Sequence, residues 1–208
     1  MRKKGLTSAS ERANAIVRHS TRYCCIAGLA ALLACDRSPS WRGTAVLPPK
    51  ALASFSFSDS TGKVFSTAPA ASMATLVFFG YTNCPDVCPT TLADWVRAKR
   101  ALGIDAKRVR FLFVTIDPAR DTPAIAARFA AQFDTSFVGV SGDSATTTNI
   151  QRAFGVASTR EPSSSAEGYL MGHSSQAFLV DHKGRIVVTY AYGAGWDAMA
   201  ADIKNVLH

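Results

Sequence analysis

The stretch "TLVFFGYTNCPDVCPTTLADW", residues 75–95, decides how this chain folds and where its chemistry sits. It begins with an unbroken apolar run, "TLVFFGY", of the kind that forms a strand buried on both faces. It ends by opening the amphipathic pattern "TTLADWVRAKRAL". Between the two, Cys84 and Cys88 stand four residues apart, each followed by a proline. A buried strand passing through a short loop into a helix is a βα unit, and in open α/β sheets ligand and catalytic groups collect at the carboxyl ends of the parallel strands. Pro85 and Pro89 constrain the loop, because the residue before a proline is biased away from helical geometry while proline itself suits the first turn of a helix. The helix is therefore expected to begin near Pro89 with Cys88 at its N-terminus, where the macrodipole and free amides favour thiolate over thiol.

Outward from this unit, "FSFSDSTGKVF" (55–65) alternates apolar and polar residues around a glycine-containing turn and reads as a β-hairpin. "VRFLFVTID" (109–117) is a second buried strand, "TPAIAARFAAQF" (122–133) a second helix and "FVGVSG" (137–142) a short strand. "SATTTNIQRAFGV" (144–156) is a helix with Ser144 as its N-cap. "AFLVD", the turn "HKG" and "RIVVTYAYG" form a hairpin, and "WDAMAADIKNVL" (196–207) is a closing helix. Apolar runs without alternation, separated by helices, require a sheet covered on both faces, to which the last hairpin adds antiparallel strands. The expected fold is α/β of thioredoxin-like type: a central mixed sheet flanked by helices, with an N-terminal β-hairpin, spanning residues 54–208 as one domain.

The first residues predict the compartment. A basic stretch (Arg2, Lys3, Lys4, Arg12, Arg18, Arg22) leads into "CCIAGLAALLAC" (24–35), an apolar run too short to span a bilayer comfortably, followed by polar residues. This is the pattern of a secretory signal over residues 1–35. Its end, Leu32-Leu33-Ala34-Cys35, resembles a bacterial lipoprotein box, which makes Cys35 the lipidated residue and Asp36 a signal for retention at the inner membrane. Ordinary cleavage and an uncleaved anchor are the alternatives, and each places the globular part in the periplasm. Residues 36–53, with Pro48-Pro49 and little periodicity, read as an extended tether.

Charge and cysteine usage follow from that division. Lys and Arg number 23 and Asp and Glu 15, a net charge of +8. Six of the basic residues and one acidic residue lie in residues 1–35, so the remainder holds 17 against 14, or +3. The basic character belongs largely to the leader, and no nucleic-acid partner is expected. Cys24 and Cys25 leave with a signal and Cys35 is the lipidation candidate, so only Cys84 and Cys88 remain in the domain. In an oxidising space, two thiols need a reason to stay reduced.

Two thiolates a turn apart form a disulfide or bind a soft metal. Structural zinc wants four protein ligands, whereas the domain offers two cysteines and His173, His182 and His208. His182 lies in a turn and His208 ends the chain, so both are expected in solvent. His173 precedes the strand "AFLVD", where a thioredoxin-like fold returns past the cysteine loop. A Cys, Cys, His set of low coordination number suits copper(I), and imidazole lets the same site hold copper(II). A histidine beside a strand is often only hydrogen-bonded structure, and a CxxxC pair is often a simple disulfide; it is their combination in an exported chain that favours a shared site.

"FFGYTNCPDVCPTTLADW", "RFLFVTIDPARDTP", "RAFGV" and "GHSSQAFLVDHKGRIV" together resemble the successive motifs of the Sco/SenC family over about residues 54–207. The resemblance implies a membrane-tethered, thioredoxin-like protein that binds Cu(I) or Cu(II) through Cys84, Cys88 and His173. It further implies a role in assembling the copper centre of respiratory cytochrome c oxidase, with a copper-binding oxidase subunit, other periplasmic copper carriers or thiol reductants as partners. The family often has Asp directly before the histidine, where this chain has Gly172. Asp117 and Asp121 also match family positions, with capping and turn chemistry as their plainer role.

Two functions compete at this point: a metallochaperone delivering copper by ligand exchange, and a thiol-disulfide oxidoreductase using Cys84 and Cys88 as a redox pair to keep the oxidase copper-site cysteines reduced. Copper storage or redox sensing is a third class. The segment "ASTREPSSSAEGYLMG" (157–172), poor in apolar periodicity, is expected to be a mobile carrier of His173.

Overall fold

The computed structural model describes residues 40–208 except 60, 62 and 165–167, so Cys24, Cys25 and the lipidation candidate Cys35 lie outside the described residues. In chain order the elements are β1 (Thr44–Ala51), β2 (Ser56–Ser58), β3 (Val64–Ser66), β4 (Ala74–Gly80), α1 (Val87–Leu102), a 3-10 helix (Gly103–Arg108), β5 (Val109–Thr115), α2 (Pro123–Phe133) and β6 (Val138–Val140). There follow α3 (Ser144–Phe154), β7 (Ser158–Pro162), β8 (Tyr169–His173), β9 (Ala177–Val180), β10 (Arg185–Tyr190) and α4 (Trp196–Leu207).

The main sheet runs β1-β10-β9-β4-β5-β6. The pairs β4–β5 and β5–β6 are parallel, and the pairs β4–β9, β9–β10 and β10–β1 are antiparallel. This is the mixed sheet that the sequence predicts, and β2–β3 is the expected hairpin. Strand alternation turns the central apolar runs into two cores. Leu76, Phe78, Phe111 and Phe113 face one side, whereas Val77, Phe79, Leu112 and Val114 face the other. On the first side α1 lays down Cys88, Leu92, Trp95, Ala98 and Leu102, a three-to-four spacing that gives one buried stripe, and α4 adds Met199, Ile203 and Leu207. Trp95 is fully buried and meets Phe78 edge-on at 6.4 Å between ring centroids. On the second side Ile150 and Phe154 of α3 and Phe57 of the hairpin cover the sheet.

Helix starts are set by capping. Thr122 accepts the Ile125 amide at 3.3 Å ahead of Pro123 and starts α2. The cap of α3 is Asp143, whose carboxylate accepts the Thr146 amide at 2.7 Å, and Ser144 is the first helical residue. Asp and Ser cap almost equally well, so residue type alone does not choose between neighbours.

Besides the Ser144 cap, two sequence-based expectations change. Within the 36–53 segment read as tether, residues 44–51 are the edge strand β1, with Thr44 opposite Thr189, Ala45 opposite Val188 and Ala51 opposite Arg185. The register shifts between Ala45 and Lys50, and Pro48 and Pro49 fall inside that irregular stretch of an edge, the place where a sheet tolerates missing amides. The fully buried Asp202 of α4 secures the strand's start by accepting the amides of Arg42 at 2.8 Å and Gly43 at 2.9 Å. Strand pairing accordingly brings residues 44–51 into the main sheet, ahead of the start expected near residue 54. Secondly, the segment leading to His173 is an antiparallel pair, β7–β8, with Ser158 opposite His173 and Glu161 opposite Leu170. Such a ribbon is held by backbone bonds, and its side chains lie half-exposed or exposed, so no apolar alternation marks it in the sequence.

Candidate metal and thiol site

Cys84 sits in the loop after β4, and Cys88 in the first turn of α1. The helix begins at Val87, so Pro89 falls within its first turn, where a missing amide costs no helical bond. Cys88 is fully buried against the end of β4. Gly80 makes room for it: a Cβ at that position would lie 2.6 Å from Cys88 Sγ.

The charge distribution reverses the expectation for the pair. Cys84, not Cys88, is the thiolate. The Cys88 thiol donates to Cys84, and the amides of Asp86, Cys88 and Val87 add to that, bringing the Cys84 thiol down to about 5 against the opposing effect of burial. The Cys88 amide lies 3.4 Å from Cys84 Sγ. Burial and the Cys84 charge reinforce the effect of that donated hydrogen bond and push the Cys88 thiol well above its ordinary range. The physical reason is direction. Amides of a first turn point out of the helix toward the residue upstream of it, whereas a residue inside that turn is turned into the core.

His173 ends β8, and its ring lies beside the end of β4, next to the cysteine loop. Its ring lies 6.1 Å from that of Phe78 and 6.2 Å from that of Tyr81, edge-on to both. Nδ1 is 3.1 Å from the Ser174 carbonyl. A carbonyl only accepts, so Nδ1 carries the proton and the Nε2 lone pair is available to a ligand. Burial lowers the imidazole pKa, opposed by the Ser174 carbonyl and the charge on Cys84. The ring is thus held neutral, the form that coordinates metal. Thiolate, thiol and imidazole share one region, but among the described residues no three His, Cys, Asp or Glu side chains form a closed metal cluster.

The other histidines lie elsewhere. His182 is in the β9–β10 turn, at the opposite edge from the cysteine loop, since Val180 pairs with Thr75 at the start of β4. His208 ends α4 and lies 3.4 Å from Asp105. At Gly172 the space that a side chain would take is filled by the Glu161 carboxylate reaching across from β7.

Asp121 is more than a turn residue. Almost fully buried, it accepts the Thr82 amide at 2.9 Å, the Thr82 hydroxyl at 2.6 Å and the Thr115 hydroxyl at 2.5 Å, binding the cysteine loop to the end of β5. Sequence reasoning missed Thr82 and Tyr81. Their one signal was adjacency to the cysteines.

Comparison with known proteins agrees with this fold. The SCO1/SenC family model matches residues 45–208. The SCO2-like protein RC0895 of Rickettsia conorii is 30% identical over 73% of this chain and 74% of its own length. The apo Sco1 protein of Thermus thermophilus is 34% identical, with a TM-score of 0.72 over 82% of this chain and 99% of that one. Bradyrhizobium japonicum ScoI, solved with copper bound, is 35% identical, with a TM-score of 0.67 over 76% of this chain and 99% of that one. Coverage of curated relatives varies, and the SCO2-like protein of Rickettsia felis is matched over 64% of its length. A family match over nearly the whole described fold, with both cysteines and the histidine gathered near the end of β4, leaves one conclusion: the chain belongs to the SCO1/SenC family.

Proposed function

We propose that this chain is a copper metallochaperone whose cargo, one Cu(I) or Cu(II) ion, is held by Cys84, Cys88 and His173 and passed by ligand exchange to the copper centre of a respiratory cytochrome c oxidase. The observation that carries the reading is the donor set: a cradled thiolate, a second thiol beside it and a neutral imidazole with a free Nε2. Soft sulfur donors select copper(I), and imidazole accommodates copper(II). Two comparisons support it: the Bradyrhizobium relative carries copper, and the Sco family is described as one of cytochrome c oxidase assembly proteins. Metal content after periplasmic expression tests the proposal. One copper per chain is expected, lost on Cys84→Ala or Cys88→Ala and weakened on His173→Ala; a zinc-loaded protein, or one that takes up no copper when reduced, refutes it.

The same thiol pair favours a second reading, thiol-disulfide exchange. The Cys84 thiolate would attack one sulfur of a partner disulfide and release the other as a thiolate. Cys88, giving up its proton, would then attack Cys84 Sγ, freeing the partner's second thiol and leaving a Cys84–Cys88 disulfide. His173 separates the two roles, because exchange proceeds without an imidazole ligand. Full oxidase assembly by a His173→Ala variant would favour this second reading.

The proposal places the protein in the periplasm, anchored to the inner membrane through Cys35. Among the described residues no helix is long and apolar enough to cross a membrane. Cys35→Ser is expected to release the protein from the membrane fraction or block processing of its leader; unchanged processing and attachment would exclude lipidation at that residue.

A further inference from the structure

From the hydrogen bonds joining β8 to the loop after β5, we infer that Arg120 and Tyr169 form a latch that positions His173 beside the cysteine loop. The inference rests on the reading of His173 as a ligand and adds a specific pair of positioning residues to it. Tyr169 begins β8, the strand that His173 ends. Its hydroxyl donates to the Asp117 carboxylate, 3.0 Å from each oxygen. Two guanidinium groups lie over its ring, Arg120 at 3.6 Å and Arg160 at 4.0 Å from the centroid. Its carbonyl accepts Arg120 Nη1 at 3.0 Å. Arg120 Nε in turn donates to the buried Asp117 carboxylate at 2.5 Å, and the guanidinium also lies over Tyr81, whose ring is edge-on to His173.

These contacts complete a continuous chain of polar groups. Thr82, in the cysteine loop, bonds Asp121; Asp121 accepts the Thr115 hydroxyl; and Thr115 Oγ1 accepts the Asp117 amide at 3.0 Å. Asp117 then bonds both Arg120 and Tyr169. The loop that carries the thiols, through Asp121, and the strand that carries the imidazole, through Asp117, are thereby tied to two buried aspartates that Thr115 joins. The need for such a device follows from topology, since β7–β8 is a separate two-stranded ribbon outside the main sheet and takes no ladder bonds from it. An isolated ribbon is only marginally stable, so its placement depends on side-chain contacts such as these.

The test compares Tyr169→Phe, which removes only the hydroxyl, with Arg120→Gln and Arg120→Lys, using His173→Ala as control. In the metal-free protein, amide exchange at residues 169–173 should accelerate about tenfold in Tyr169→Phe, the factor a lost charge-assisted hydrogen bond commands, and further in Arg120→Gln. Exchange in β4 and β9 should stay unchanged. Copper(II) affinity and its imidazole-dependent spectrum should weaken in the same order, partly rescued in Arg120→Lys, while disulfide formation between Cys84 and Cys88 persists. Unchanged exchange at 169–173 in Tyr169→Phe overturns the latch, whatever happens to Arg120→Gln. Equal acceleration throughout the sheet also overturns it, by showing a purely structural role. If His173→Ala leaves copper(II) binding intact, the ligand assignment fails, while the exchange result still judges the latch.

Discussion

Replacing Cys88 with alanine isolates what makes Cys84 a thiolate, and the expected effect can be worked from the site. The ordinary thiol value is 9.0, and Cys84 is brought to about 5 chiefly by the hydrogen bond from the Cys88 thiol. At pH 7 a thiol of pKa 9.0 is about 1% ionised and Cys84 about 99%, roughly a 100-fold gain in thiolate. Nucleophilicity falls with basicity along a Brønsted slope of about 0.4–0.5, which over four units offsets roughly 40- to 100-fold of that gain. The absolute alkylation rate at pH 7 should therefore resemble that of free cysteine, and the shape of the pH profile is the informative quantity. With iodoacetamide and peptide mass spectrometry on the reduced, metal-free protein, labelling of Cys84 should be nearly flat from pH 8 to pH 6 and fall about tenfold per unit below pH 5. In Cys88→Ala the inflection should move up toward the ordinary 9.0, because the largest lowering cause is gone while burial still opposes the three amides. A wild-type rate that climbs tenfold per unit from pH 6 to pH 8, or an inflection indifferent to Cys88, refutes the account. The linkage has a definite sign: the folded pKa lies below the unfolded value, so ionised Cys84 contributes stability that is complete above 9.0 and is lost as pH falls through about 5.

Gly80→Ala should drive the added methyl into Cys88 Sγ, leaving a folded protein that forms the Cys84–Cys88 disulfide slowly and binds copper weakly; normal disulfide formation would show that α1 shifts to make room. Asp202→Ala should cost about 3 kcal/mol in urea unfolding, because it strips the acceptor from the amides of Arg42 and Gly43 and from the Tyr190 hydroxyl at once. A loss below about 0.5 kcal/mol would mean that water replaces the carboxylate and that β1 is held by its ladder alone.

The central strands, α1, α2, α4 and the final hairpin were legible because each writes its environment into a local period. The runs "TLVFFGY" and "VRFLFVTID" leave no polar face for water, and α1 repeats its apolar residues every three or four positions. The cysteines could be placed at a ligand-bearing sheet edge for the same reason, since the loop after a buried parallel strand opens there. The ionised partner in the pair could not be read, because it depends on which way the sulfur points relative to the amides of the first turn. Nor could β1 or β7–β8, whose residues carry no buried period and acquire structure only from a partner strand distant in sequence. The buried aspartates show the limit most plainly. "DPARD" looks like turn chemistry from its neighbours, but Asp117 meets the Tyr169 hydroxyl across 52 positions of chain and Asp121 meets Thr82 across 39. Local periodicity settles which residues are covered, whereas the partner of a buried charge is chosen by chain segments that only the closed fold brings together.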